Sequence, residues 1–313
     1  MLKMAKIPGE VWAVVVATAD ADPVRVPASR EGGAGLPPRA FRHFGGEDSL
    51  LTLALRRAAA LAGAERTMVV VGRDEEEWWK PQLGHVPRGN ILLEPRSRGT
   101  APRILRAMLE VLREEPGATV VVLPSDHHVA DEQVLGQAVQ AAAEATWDTD
   151  NRVGLLGVLP HCDDTDFDFI VPSVESSGHP ARRVASYVER SSAACFATLR
   201  QAGGLWCSSI LVSRLSALVR LYDRAQPALL GAFLKVFASG ADCDPAVMER
   251  LYASVETSHL SRDLLARMPE LLRVVPLPPC GWSDLRAVER SERRARWLAQ
   301  GGTAATEAAS AHV

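Results

Sequence analysis

Two kinds of hydrophobic pattern alternate along the chain. Short apolar blocks bounded by turn residues predict strands: AVVVA opening the stretch AVVVATADADP (13–23), TMVVVG (67–72), NILLEP (90–95), ATVVVLPSD (118–126), RVGLLGVLP (152–160), Leu205 to Ser213, and LRVVPLP (272–278). Between them the spacing becomes helical. SLLTLALRRAAALA (49–62) places Leu50, Leu51, Leu53, Leu55 and Leu61 on one broad face, with Ser49 as N-cap. Pro102 opens a second helix whose Ile104, Leu105, Met108, Leu109 and Leu112 face the core, and Asp131 can cap a third. Residues 225–270 predict helices joined by short turns.

This alternation predicts βαβ units and an α/β fold with a mixed, mainly parallel sheet flanked by helices. DFDFIVPSV and RVASYVER alternate in period two, as expected of a half-exposed pair in a smaller sheet. The stretch CGWSDLRAVERSERRARWLAQ turns helical in its later part. The expected organisation is one domain over residues 1–295 and a disordered tail, 296–313, which has no core-forming face.

Composition narrows the class. The chain has 313 residues, 47% hydrophobic and 23% charged, enough to bury a large core. A net charge of −3 gives no general attraction to nucleic acid or anionic lipid, and no apolar run reaches the length of a membrane span. The five cysteines are widely spaced with no C-x-x-C pair, which argues for free thiols in a reducing, cytoplasmic compartment rather than zinc or disulfides. Lys3, Lys6 and the apolar run before Ala19-Asp20-Ala21 imitate a secretory signal, but the run is short and interrupted by Thr18.

In open α/β sheets ligands collect outside the carboxyl ends of the parallel strands, so the residues there carry the candidate chemistry. One strand delivers Asp126. Another delivers Glu94, then Arg96, Arg98, Gly99 and Thr100 before a helix N-terminus, where N–H groups and the helix dipole favour anions. Asp284 follows the last strand. Each has a plainer alternative: Asp126 as a turn residue, the arginines as solvated loop cations, Asp284 as an N-cap. His127 and His128 point opposite ways on an extended chain, so they do not readily share one ion.

Taken in order, EPRSRGTAP, LPSDHHV, VERS, LWCSSI and GWSD resemble the sugar-phosphate nucleotidyltransferases, closest to mannose-1-phosphate guanylyltransferase, whose motifs are E-P-x-x-R-N-T-A-P, L-P-S-D-H, E-K-P, W-N-S-G and W-S-D-x-G. PRAFRHFGGEDSLL (38–51) resembles that family's P-K-Q-F-L and G-x-x-S-L-L. The resemblance implies a Rossmann-like sheet with a small additional sheet over the sugar site. It also implies transfer of a nucleotidyl group from a nucleoside triphosphate, GTP favoured, to a sugar 1-phosphate with release of pyrophosphate. Carried over by motif, Asp126 and Asp284 would bind Mg²⁺; Glu94, Arg98 and Thr100 would lie near the nucleotide; Glu189, Asp166 and Cys207 near the sugar; Arg25 and Arg39 would be catalytic cations. A homo-oligomer or an active paralogue is the expected protein partner.

The departures are physical as well as formal. Where the family has A-G-G-x-G-T-R-L-W-P-L-S-R, this chain has no glycine and carries Asp20 and Asp22. Losing one backbone donor aimed at developing charge costs about 3 kcal/mol. A carboxylate about 5 Å from a phosphate charge adds roughly 3 kcal/mol at an effective dielectric near 20. Asp20 and Asp22 could alternatively bind a cation. Asp166 and Asp168 replace two glycines of T-G-Y-G-Y-I, Gly99 replaces an asparagine, Cys207 and Ser209 alter W-N-S-G, and Arg286 replaces the glycine after W-S-D-x. Two expectations follow: an enzyme with a rewired or impaired pocket, or a non-catalytic binding or regulatory subunit on the same fold.

Overall fold

The computed structural model describes residues 10–17, 37–43, 46–147, 151–162, 164–174, 181–190 and 192–284. Asp20, Asp22, Arg25, Arg286, the expected final helix and the tail 296–313 lie outside the described residues.

The first half is built as predicted from βαβ units. Strands β1 (Val11–Ala17), β2 (Thr67–Gly72), β3 (Ile91–Glu94) and β4 (Thr119–Pro124) lie side by side in the order β3-β2-β1-β4, all parallel. Helix α1 (Leu50–Ala62) connects β1 to β2, the short α2 (Glu76–Trp79) follows β2, and α3 (Thr100–Glu114) connects β3 to β4. Ser49 caps α1 by accepting from the Thr52 N–H at 3.1 Å. Period-two alternation divides β1 between two cores: Trp12 and Val14 face one, Ala13 and Val15 the other. Because the chain steps from β1 outward to β2 and β3, then returns to place β4 on the opposite side of β1, the carboxyl ends of β1 and β4 form a topological switch point.

After β4 come the two-residue β5 (His127–His128), α4 (Glu132–Trp147), β6 (Val153–Val158), the hairpin β7 (Phe169–Pro172) and β8 (Arg182–Val188), α5 (Ala193–Gln201) and the long β9 (Leu205–Arg214). Asp131 caps α4, its Oδ1 accepting from the N–H groups of Gln133 and Val134 at 3.1 and 3.0 Å. Helices α6 (Leu215–Ala225), α7 (Pro227–Ala238) and α8 (Pro245–Ser254) and a π-helical turn at Leu260–Leu265 precede β10 (Leu272–Leu277) and β11 (Ser283–Asp284). The complete sheet has nine strands ordered β3-β2-β1-β4-β9-β6-β10-β8-β7; seven run the same way, with β8 and β9 reversed. Helices α3, α6, α7 and α8 cover one face, and α1 and α4 cover the other.

The β7–β8 pair forms as expected but does not stand apart. β8 hydrogen-bonds to β10 and β7 to the start of β9, so β9, β6, β10, β8 and β7 close into a ring. The ten-residue β9 causes this, since Leu205 and Trp206 extend beyond its pairing with β4 and offer a free edge to Phe169 and Ile170. The separate small sheet is instead β5 with β11.

Candidate functional site

The site is assembled at the switch point. The apolar block of β4 ends at Pro124, Ser125 donates its hydroxyl to the Val16 carbonyl of β1 at 2.8 Å, and Asp126 follows, its side chain 22% exposed. β11 runs antiparallel to β5, placing Asp284 opposite His127 and Ser283 opposite His128. Asp284, buried at 5% exposure, therefore lies beside the residue that adjoins Asp126. A turn at Cys280–Gly281 makes this pairing possible. The Cys280 carbonyl accepts from the N–H groups of Ala130 and Asp131 at 3.0 and 2.9 Å, and Gly281 sits at φ +65°, where an added Cβ would come within 2.6 Å of the Ala130 Cβ. Two motifs separated by more than 150 positions thus meet as adjacent strands.

The segment after β3 is used differently. Glu94 is buried against Arg103, whose Nε donates to its Oε2 at 2.6 Å, while Arg103 Nη2 donates to Ser97 Oγ at 2.8 Å. The Arg98 guanidinium lies on the carbonyls closing α8, donating to Tyr252 at 2.7 Å and Ala253 at 3.3 Å. Thr100 Oγ1 accepts from the Leu260 N–H at 2.8 Å. The N-terminus of α3 is covered by a strap of chain around Ser258: its carbonyl accepts from Ala101 N–H at 3.1 Å and its N–H donates to the Arg98 carbonyl at 2.9 Å. Gly99 permits the approach with φ +83° and ψ 179°, and any Cβ there would overlap the Ser258 carbonyl oxygen. Gly99 is therefore required by this geometry rather than a simple loss of asparagine.

The ring of strands holds the third group. Asp168 Oδ2 accepts from the Tyr187 hydroxyl at 2.8 Å, its Oδ1 from the Arg190 N–H at 3.2 Å, and its carbonyl from the Cys207 N–H at 2.8 Å. Burial, with the Asp168 carboxylate second, pushes the Cys207 thiol up to about 11, so it is a neutral thiol at physiological pH and no nucleophile. Burial likewise pushes Tyr187 well above its usual range. Asp166 and Glu189 are exposed, and the Asp166 N–H donates to Asp164 Oδ1 at 3.0 Å. Arg39 is half-buried and begins the 3₁₀ turn Arg39–Phe41, which Phe41 anchors in the core. Ser209, in the place of the family's glycine, adopts φ +60° at a bulge; the neighbouring Ser208 hydroxyl bridges the Leu156 carbonyl at 2.8 Å and the Ile210 N–H at 3.2 Å.

Sequence reasoning did not foresee Arg103, the Ser258 strap or the Trp282 partner of His127. Arg103 left a signal, a charge beside Ile104 on the core-facing side of α3. Ser258 left none, because it arrives from a distant loop.

A family model for the nucleotidyl transferases matches residues 34–285. The chain belongs to the nucleotidyl transferase family. It is 30% identical over 255 residues to the xanthan biosynthesis protein XanB of Xanthomonas campestris pv. campestris, a match covering 79% of this chain and 52% of that one. It is 29% identical over 168 residues to a mannose-1-phosphate guanylyltransferase of Escherichia coli, covering 52% of this chain and 34% of that protein. The chain spans about half the length, or less, of these curated relatives. A crystal structure titled mannose-1-phosphate geranyltransferase, from Thermus thermophilus, superposes with a TM-score of 0.75 at 26% identity, over 90% of this chain and 79% of that one. No helix among the described residues is long and apolar enough to cross a membrane.

Proposed function

We propose that this nucleotidyl transferase binds a nucleoside triphosphate, GTP by preference, and a sugar 1-phosphate, mannose 1-phosphate first, at the carboxyl ends of β1 and β4 in the cytoplasm. The observation that supports the reading is the β5–β11 pairing, which registers Asp284 against His127, the residue after Asp126, near the switch point. The similarity to mannose-1-phosphate guanylyltransferases supports the choice of base and sugar. The donor set would suit Mg²⁺, a hard cation that takes carboxylate oxygens and is commonly held by one or two carboxylates together with substrate phosphates; no cluster of three or more His, Cys, Asp or Glu occurs among the described residues. When bound, the ion neutralises phosphate charge.

The chain's own groups would orient the reactants. A sugar-phosphate oxygen attacks the α-phosphorus, that P–O bond forms, and the bond to the bridging oxygen breaks with its electron pair leaving on pyrophosphate. Asp126 and Asp284 would hold the cation, Arg39 and Arg25 would supply positive charge for the phosphates, and the β7–β8–β9 ring would receive the sugar near Glu189 and Asp166. Cys207, neutral and buried, lines the ring without taking part in proton transfer. The loop carrying Asp20 and Asp22 makes turnover slow, by a factor of about a thousand or more if each of two impairments near 3 kcal/mol is only partly additive.

A second reading is a non-catalytic binding or regulatory subunit, working with an active paralogue or another copy of itself. It is favoured by the Ser258 strap, which takes up the Ala101 N–H at the α3 N-terminus that an anion would need. Pyrophosphate release from GTP and mannose 1-phosphate with Mg²⁺ separates the two. Slow release abolished by Asp126→Ala supports the enzyme; binding of Mg²⁺–GTP with no release supports the subunit; neither binding nor release contradicts both.

A further inference from the structure

We propose that Asp168 is a positioning residue for the turn that carries Glu189 and Arg190, an acceptor and a cation at the sugar end of the site. The inference rests on the reading of the β7–β8–β9 ring as the sugar-phosphate side and concerns how that side is held. Asp168 stands directly before β7, which pairs with both β8 and β9. Its carbonyl accepts from the Cys207 N–H of β9 at 2.8 Å, and its Oδ2 accepts from the Tyr187 hydroxyl of β8 at 2.8 Å. Its Oδ1 accepts from the Arg190 N–H, just past the end of β8, at 3.2 Å. The glycine that T-G-Y-G-Y-I has at this position could supply only the carbonyl bond.

The backbone that Asp168 holds is itself unusual. Arg190 has φ +39°, in the left-handed region that a side chain makes costly, so the conformation persists only where the surroundings impose it. A proline at 191, as in E-K-P, would drive residue 190 toward extended backbone, whereas this chain has Ser191. Ser209 is a second non-glycine residue with positive φ, and its N–H reaches the Cys207 sulfur, which also hydrogen-bonds with the Tyr187 hydroxyl. Tyr187 is buried, at 6% exposure. Asp168, Arg190, Cys207 and Ser209, four departures from the motifs that the chain resembles, are thus links of one network through Tyr187. The acceptor gained at 168 meets the N–H of the altered turn at 190, and a carboxylate supplies the restraint that proline supplies in E-K-P. Glu189 and Arg190 remain exposed for a ligand.

The test uses the full chain as wild type, Asp168→Ala, Asp168→Asn and Tyr187→Phe. Hydrogen exchange of the Arg190 amide, read in ¹H–¹⁵N spectra, should quicken about tenfold in Asp168→Ala. It should stay within about threefold of the wild type in Asp168→Asn, whose Oδ1 still accepts and whose amide can pair with the Tyr187 hydroxyl. Both substitutions remove the same charge, so their difference reads the hydrogen bonds. In titration calorimetry, mannose 1-phosphate should bind about tenfold more weakly to Asp168→Ala, about threefold more weakly to Tyr187→Phe and nearly normally to Asp168→Asn, with Mg²⁺–GTP affinity unchanged throughout. Equal weakening of both ligands would make Asp168 merely structural and overturns the inference. So does unchanged Arg190 exchange or unchanged mannose 1-phosphate binding in a folded Asp168→Ala chain; if that chain does not fold, equal binding by Tyr187→Phe and the wild type has the same force. A wild type whose Arg190 amide responds as expected but which binds no mannose 1-phosphate overturns the sugar-phosphate reading instead, and with it the purpose given to the turn.

Discussion

At the end of β3, the protein itself binds every side chain that the motif offers: Glu94 is held by Arg103, Arg98 by the closing carbonyls of α8, and Thr100 by the Leu260 N–H. At the end of β4, Asp126 keeps part of its surface in solvent while β11 delivers a second carboxylate to its neighbour. The two loops rise from the same edge of the same parallel sheet, separated by β1 and β2, three strand spacings or roughly 14 Å apart. A motif at a strand end can therefore serve the frame or the ligand. Substitutions after β3 should cost stability, and substitutions after β4 should cost binding.

The sharpest way to break that contrast is Arg103→Met. It leaves the Glu94 carboxylate buried without its cation and should lower unfolding free energy by about 3–5 kcal/mol, read by urea denaturation. Adding Glu94→Leu should recover most of the loss, because a well-packed apolar pair can replace a buried ion pair. Next comes Gly99→Ala, which combines a backbone conformation reserved for glycine with overlap on the Ser258 carbonyl. About 3 kcal/mol should be lost in the same measurement. A loss below about 0.5 kcal/mol for either would mean that the segment is not part of the frame.

A group at neither strand end provides a control. The Cys207 thiol is raised by burial from 9.0 to about 11. Between these values the unfolded chain has released the proton that the folded chain keeps, so stability is fully present below about 9 and falls as pH rises toward 11. Cys207→Ser should remove that slope, worth roughly 2–3 kcal/mol at its upper end, in denaturation series across this pH window. Ser209→Gly should give the smallest effect, a gain of about 0.5–1 kcal/mol, since φ +60° costs serine more than glycine.

The strands and helices were legible because their patterns are local. The block TMVVVG is β2 from end to end, Ser49 caps α1, and Asp131 caps α4, each fixed by a few consecutive residues. The helix of which Pro102 was expected to be the start begins two residues earlier, at Thr100. The pairing of the two motifs, β5 after Asp126 with β11 ending at Asp284, lies where the resemblance and the rule that ligands gather at strand ends put the candidate site. The Ser258 strap was not, because its hydrogen bonds link positions more than 150 residues apart and involve backbone atoms, which every residue carries. The ring closed by β7 and β9 was hidden for a similar reason: period-two alternation shows which face is buried but not which edge is paired.

The central claim is that Asp126 and Asp284 form the cation site of a nucleotide-binding protein. The most direct test is titration calorimetry of GTP binding by wild type and Asp126→Ala, each with and without Mg²⁺, alongside the thermal midpoint of each chain. The account predicts Mg²⁺-dependent binding in the wild type, its loss in Asp126→Ala, and midpoints within a few degrees of one another. Mg²⁺-dependent binding of equal strength in both chains would contradict it.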